Sequence, residues 1–75
     1  MVRLPVLTPR KLLKALRNAG FYVHHQRGSH VNLRHDLKKH LHVVIPTHSR
    51  DLAPKTLKSI MVQSEISIKE LIDLI

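Results

Sequence analysis

Seven histidines occur in the chain, and all of them fall between His24 and His48. Imidazole is the side chain best suited to proton transfer near neutral pH, because its unperturbed pKa is about 6.5. Cleavage of an RNA phosphodiester is one reaction that needs such groups. A base takes the proton from the ribose 2′-hydroxyl, an acid protonates the departing 5′-oxygen, and a cation balances charge on the phosphorane. Histidine together with lysine or arginine supplies all three without a metal.

His30 is the first candidate for this chemistry. It directly follows Gly28-Ser29, a pair that suits a tight turn whose backbone can approach a phosphate closely. Read from pattern alone, it is equally well a surface histidine with no role. His48, in the segment Pro46-Thr47-His48-Ser49, is the second: a partner acid or base, a phosphate contact, or simply a loop histidine capping a carbonyl. His24, His25, His35, His40 and His42 are individually weak, and His25 reads as a partly buried histidine on the core face. His40 and His42 are two apart, which on a strand suggests a metal pair. With no cysteine, few acids nearby and no established zinc spacing, no metal site is expected.

The cations supply the binding half. Arg27, Arg34, Lys38 and Lys39 lie on or between the strands, and Lys55 and Lys58 lie near the start of a helix. Helix N-termini already attract phosphate through free N–H groups and the helix dipole. Any one of these lysines is most simply a solvated charge; together with the helix start they read as a phosphate-binding set. Phe21 and Tyr22 are the only aromatic residues of the Phe, Tyr and Trp class, so recognition by a row of stacked bases is not expected.

These residues are positioned by a simple order of elements. Thr8-Pro9 reads as a helix start, with Thr8 as N-cap and Pro9 in the first helical position. Leu12, Leu13, Leu16 and Ala19 follow at helical spacing, and Gly20 ends the helix. Phe21–Arg27 reads as a strand with Phe21, Val23 and His25 on one face. Ser29–His35 reads as a second strand with Val31 and Leu33 inward and His30, Asn32 and Arg34 outward. Leu41–Ile45 is the third strand, stopped by Pro46. A helix over about Pro54–Ser64 carries Leu57, Ile60 and Met61. A short last helix begins at the Ser67/Glu70 capping box, with Ile68, Leu71, Ile72 and Ile75 as its stripe. Short connections favour an antiparallel sheet with helices on one face. Tyr22, His24, His30, Asn32, Arg34 and His42 are then expected on the other. The fold class is α+β, in one domain over residues 1–75.

Thirteen Lys and Arg against five Asp and Glu give a net charge of +8 over 75 residues, a balance that attracts polyanions and most often nucleic acid. Of the acids, only Asp36 and Asp51 precede residue 65, so the basic field belongs to the first two thirds. The absence of cysteine excludes disulfides and thiol nucleophiles. The longest apolar run in the strand region is Val43-Val44-Ile45, and Met1–Thr8 lacks the pattern of a secretory signal. A soluble cytoplasmic protein is expected.

Ala19-Gly20-Phe21, then Gly28-Ser29-His30, then Pro46-Thr47-His48 followed by Thr56-Leu57-Lys58-Ser59-Ile60 resemble the HicA (YcfA-like) toxin family, in order and spacing, from about Thr8 to Ser67. The resemblance implies a fold like the double-stranded RNA-binding domain. It implies an endoribonuclease that cleaves mRNA without a metal cofactor and halts translation, and a HicB-type antitoxin partner that blocks the site. It maps the catalytic histidine onto His30 and a second, less defined one onto His48. Two departures stand out: His25-Gln26-Arg27 replaces the family's frequent Arg-Gln-Lys, and Pro54-Lys55 replaces its frequent Pro-Gly. The site expected from residues and resemblance together is His30 and His48, with Arg27, Gly28, Ser29, Arg34, Lys55 and Lys58 on the RNA. The alternatives are a non-catalytic double-stranded RNA-binding module and a DNA-binding partner subunit, although the chain lacks a convincing helix-turn-helix.

Overall fold

The computed structural model describes residues 4–47 and 50–75. Helix α1 spans Pro9–Asn18. The Thr8 side chain accepts a hydrogen bond from the Lys11 N–H at 3.2 Å, and Pro9 sits where a missing N–H costs nothing. Leu12, Ala15 and Leu16 are buried on its inner face. The chain leaves the helix through Gly20 at φ +100°, a conformation that L side chains rarely adopt.

Strands β1 (Phe21–Arg27), β2 (His30–His35) and β3 (His42–Pro46) follow. They form an antiparallel sheet in the order β1-β2-β3. Two of the three expected strand starts move by one residue, and Phe21 holds. β2 begins at His30 rather than Ser29 because Gly28 and Ser29 form a two-residue turn, with Gly28 at φ +57° and Ser29 outside the positive region. Positive φ at only the first central residue is the pattern of a type II′ hairpin turn. β3 begins at His42 rather than Leu41 and includes Pro46, which is tolerated at the end of an edge strand. His40 therefore lies outside the strand and does not share its face with His42.

A larger correction concerns β1. Its register against β2 shifts between Val23 and His25, so that Val23 pairs with Leu33 but His25 pairs with Asn32. His24 is the extra residue of a β-bulge. Beyond it the alternation inverts. His25 lies on the outer face rather than the core face, as does Arg27 opposite His30, and Gln26 takes the inner side at the exposed end.

Helices α2 (Pro54–Ser64) and α3 (Ile68–Leu74) complete the order α-β-β-β-α-α, so the class is α+β with an open three-stranded sheet. Phe21, Val31, Leu33, Val43 and Ile45 from the sheet pack with Leu12, Leu16, Leu57, Ile60 and Leu71 from the helices in one core. Each such side chain contributes about 1.5–3 kcal/mol by leaving water. The Ser67/Glu70 capping box starts α3 as its sequence indicates. The expected apolar stripe narrows, however: Leu71 is buried, Ile68 half-buried, and Ile72 and Ile75 exposed. The reason is position, for α3 packs on α1 at the periphery and offers the core one narrow line of contact.

The free edge of β3 is covered from α2. The Gln63 side-chain oxygen accepts a hydrogen bond from the Val44 N–H at 3.0 Å. The same amide group donates to the Ser59 hydroxyl at 3.2 Å. A backbone donor on an exposed sheet edge is a template for unwanted pairing, and Gln63 occupies it.

Candidate active site

The bulge and the hairpin together arrange the outer face of the sheet in three cross-strand rows. Tyr22, Arg34 and His42 form the first; His25, Asn32 and Val44 the second; Arg27, His30 and Pro46 the third. Among the described residues no helix covers these side chains in the way α1 and α2 cover the inner face, and His25, Arg27, His30 and His42 are exposed.

His30 stands at the hairpin end of this face. Its strand begins directly after the Gly28-Ser29 turn, and its ring has no hydrogen-bond partner among the described residues. Arg27 opposes it on β1. On the other side Pro46 opposes it, and the next residue, Thr47, reaches the turn itself. The Thr47 N–H donates to the Ser29 carbonyl at 2.6 Å, and the Thr47 hydroxyl donates to the same oxygen at 2.9 Å. Gly28-Ser29-His30 and Pro46-Thr47, distant in sequence, are thus one structural unit. His48 lies outside the described residues.

The other expected site residues spread out. Arg34 lies four residues along β2 from His30, in the first row, half-buried. Its Nε is a buried nitrogen with no hydrogen-bond partner among the described residues. Lys55 is exposed in the first turn of α2. That helix has Ala53 as its N-cap, with no side-chain capping bond, so its first N–H groups remain available. Lys58 lines a groove with Leu4, Met61, Val62 and Ile66 between α2 and the N-terminal segment.

The remaining histidines divide by their bonds. The His42 ring donates to the Asn32 side-chain oxygen at 3.1 Å, which stiffens the middle of the outer face. His40 meets Glu65 at 3.3 Å in an exposed pair of little energetic weight. The His24 and His25 rings neighbour each other at the bulge, 6.2 Å apart. His35 belongs to the scaffold: its ring bonds Ala19, Leu37 and Lys38 and stacks edge-on against Phe21. No three His, Asp or Glu side chains converge among the described residues.

Two contributors escaped the sequence reading. His25 reaches the outer face only because of the bulge, and nothing in the polar run His24-His25-Gln26-Arg27 marks where a bulge falls. Thr47 belongs to the site through its hydroxyl; its place after a strand-ending proline was visible, but the pairing with Ser29 was not.

Chemically, the third row offers an exposed imidazole for proton transfer, a guanidinium beside it and a glycine turn that leaves room for an incoming group. Among the described residues beyond its chain neighbours, none would come within 4 Å of a Cβ added at Gly28. No helix among the described residues is long and apolar enough to cross a membrane. No curated protein matches the chain. Residues 9–66 of the 75 match the family described as HicA toxin of bacterial toxin-antitoxin, and the chain belongs to that family.

Proposed function

We propose that this protein is a toxin endoribonuclease that cleaves mRNA in the cytoplasm, stops translation, and is neutralised by a HicB-type antitoxin that covers its active site. The observation that carries the reading is the exposed ring of His30, without a hydrogen-bond partner among the described residues, beside a turn tied to the segment that leads into His48.

RNA lies across the outer face. His30 acts as general base or acid at the 2′-hydroxyl, a contribution of roughly 10²–10⁴-fold in rate. His48 is the partner group. Arg27 and the Gly28-Ser29 backbone hold the phosphate being attacked, and no metal cofactor takes part. Arg34, half-buried in the first row of the outer face, takes a phosphate further along β2. Lys55 meets the backbone at the uncapped start of α2. Lys58, facing the groove beside Leu4, serves at most an outlying phosphate. The α-β-β-β-α order with one bare sheet face supports kinship with the double-stranded RNA-binding domain, used here for catalysis rather than for binding alone.

The test is incubation of end-labelled RNA with the purified protein in EDTA, beside the same RNA carrying single 2′-deoxy substitutions. The expected result is cleavage that leaves a 2′,3′-cyclic phosphate and stops at each deoxy position. Salt-sensitive binding without cleavage would favour the non-catalytic RNA-binding alternative.

A further inference from the structure

We propose that Thr47 is a positioning residue for His30, acting through the Ser29 carbonyl; the catalytic half of this inference rests on the ribonuclease reading above. In the β2–β3 register, His30 opposes Pro46, so the next facing pair is Ser29 and Thr47. Facing residues of an antiparallel ladder alternate between hydrogen-bonded and non-hydrogen-bonded pairs. The 2.6 Å bond from the Thr47 N–H makes Ser29/Thr47 a bonded pair and therefore His30/Pro46 a non-bonded one. Two consequences follow. The N–H that Pro46 lacks is not needed there, and the His30 and Pro46 side chains stand at the closer of the two cross-strand spacings.

The oxygen that Thr47 holds is not a remote one. The Ser29 C=O belongs to the planar peptide unit joining Ser29 to His30, so its direction sets the backbone angle from which the imidazole projects. Thr47 fills both lone pairs of that oxygen, one with its N–H and one with its hydroxyl at 2.9 Å. Little else steadies the turn from the side. Among the described residues beyond its chain neighbours, none comes within 4 Å of a Cβ at Gly28, and the Gln26 amide reaches the Gly28 carbonyl only at 3.4 Å. The hydroxyl of Thr47 is thus the side-chain clamp on the peptide plane that aims His30. Thr47 is itself exposed and outside the core, so its removal tests aim rather than folding.

The experiment compares Thr47→Val and Thr47→Ser with the wild type. Valine keeps the branched shape and the backbone bond and removes the hydroxyl; serine restores it. The expected result for Thr47→Val is a fall in kcat of roughly ten- to a hundredfold, because misaimed catalytic groups lose rate steeply. KM and Tm stay close to wild type, and Thr47→Ser recovers most of the rate. NMR of the imidazole Cε1–H groups provides a second readout independent of activity: in Thr47→Val the His30 signal shifts or broadens while those of His35 and His42 hold. An unchanged His30 signal, or a change confined to His48, overturns the inference, as does wild-type kcat in Thr47→Val. If the wild type cleaves no RNA, the ribonuclease reading fails, and the His30 signal alone decides whether Thr47 sets its orientation.

Discussion

Strand β2 begins with one histidine and ends with another, and the sheet treats them in opposite ways. His30 is exposed, with no ring partner among the described residues, beside a turn where a Cβ added at Gly28 would have open space among the described residues beyond its chain neighbours. His35 is half-buried and bonded on both nitrogens. Its Nδ1 accepts from the Leu37 N–H at 3.1 Å and the Lys38 N–H at 3.0 Å. The ring proton is therefore on Nε2, which donates to the Ala19 carbonyl at 2.9 Å. The same ring meets Phe21 edge to face, with centroids 4.8 Å apart. His35 fastens the end of α1, the start of β1 and the β2–β3 connection to one another. Residue type alone therefore does not mark a functional histidine. Whether the fold has already used its nitrogens separates a structural histidine such as His35 from a candidate such as His30.

The glycines at the two ends of β1 repeat the contrast. At Gly20 an added Cβ would lie 2.8 Å from the His35 Nε2, on a backbone at φ +100°. Gly20→Ala is expected to cost about 3 kcal/mol, from the left-handed conformation and the collision together. Urea denaturation checks it, and a loss no larger than that expected for the conformation alone would mean that His35 can swing aside. His35→Ala should cost about 2 kcal/mol, since three backbone groups lose their partner and a ring contact disappears. Thermal unfolding would show a drop of several degrees. An unchanged Tm would make His35 as free as His30 and remove the contrast. The smallest effect is expected at the other turn: the Gly28→Ala methyl has open space among the described residues, so the positive φ is the penalty, at about 1 kcal/mol. If it proved as costly as Gly20→Ala, the hairpin end would be tightly packed rather than open.

Much of the fold is legible in the chain because each boundary has a local cause. Thr8-Pro9 starts α1, Gly20 ends it, Ser67 and Glu70 box the start of α3, and Val31/Leu33 and Val43/Ile45 alternate cleanly into the core. The β1 bulge was hidden because alternation reports register only where apolar residues recur, and His24 to Arg27 are all polar. That one shift moved His25 from the expected core face to the outer face. The narrow burial of α3 and the turning of Lys58 toward the groove were hidden for another reason: helical spacing says which residues share a stripe, not which neighbours the stripe meets. Within the site, Arg27, Gly28, Ser29 and His30 stay together because they are contiguous across one hairpin. Thr47 joins them only through pairing between strands.

The most direct test of the account sets the two ends of β2 against each other in one assay. His30→Ala and His35→Ala are compared with the wild type for cleavage of end-labelled RNA in EDTA, at a temperature where all three are folded. Loss of cleavage by roughly 10²–10⁴-fold in His30→Ala with its Tm intact, and near-normal cleavage with a lowered Tm in His35→Ala, is the predicted result. A His30→Ala protein that cuts RNA at the wild-type rate would contradict it.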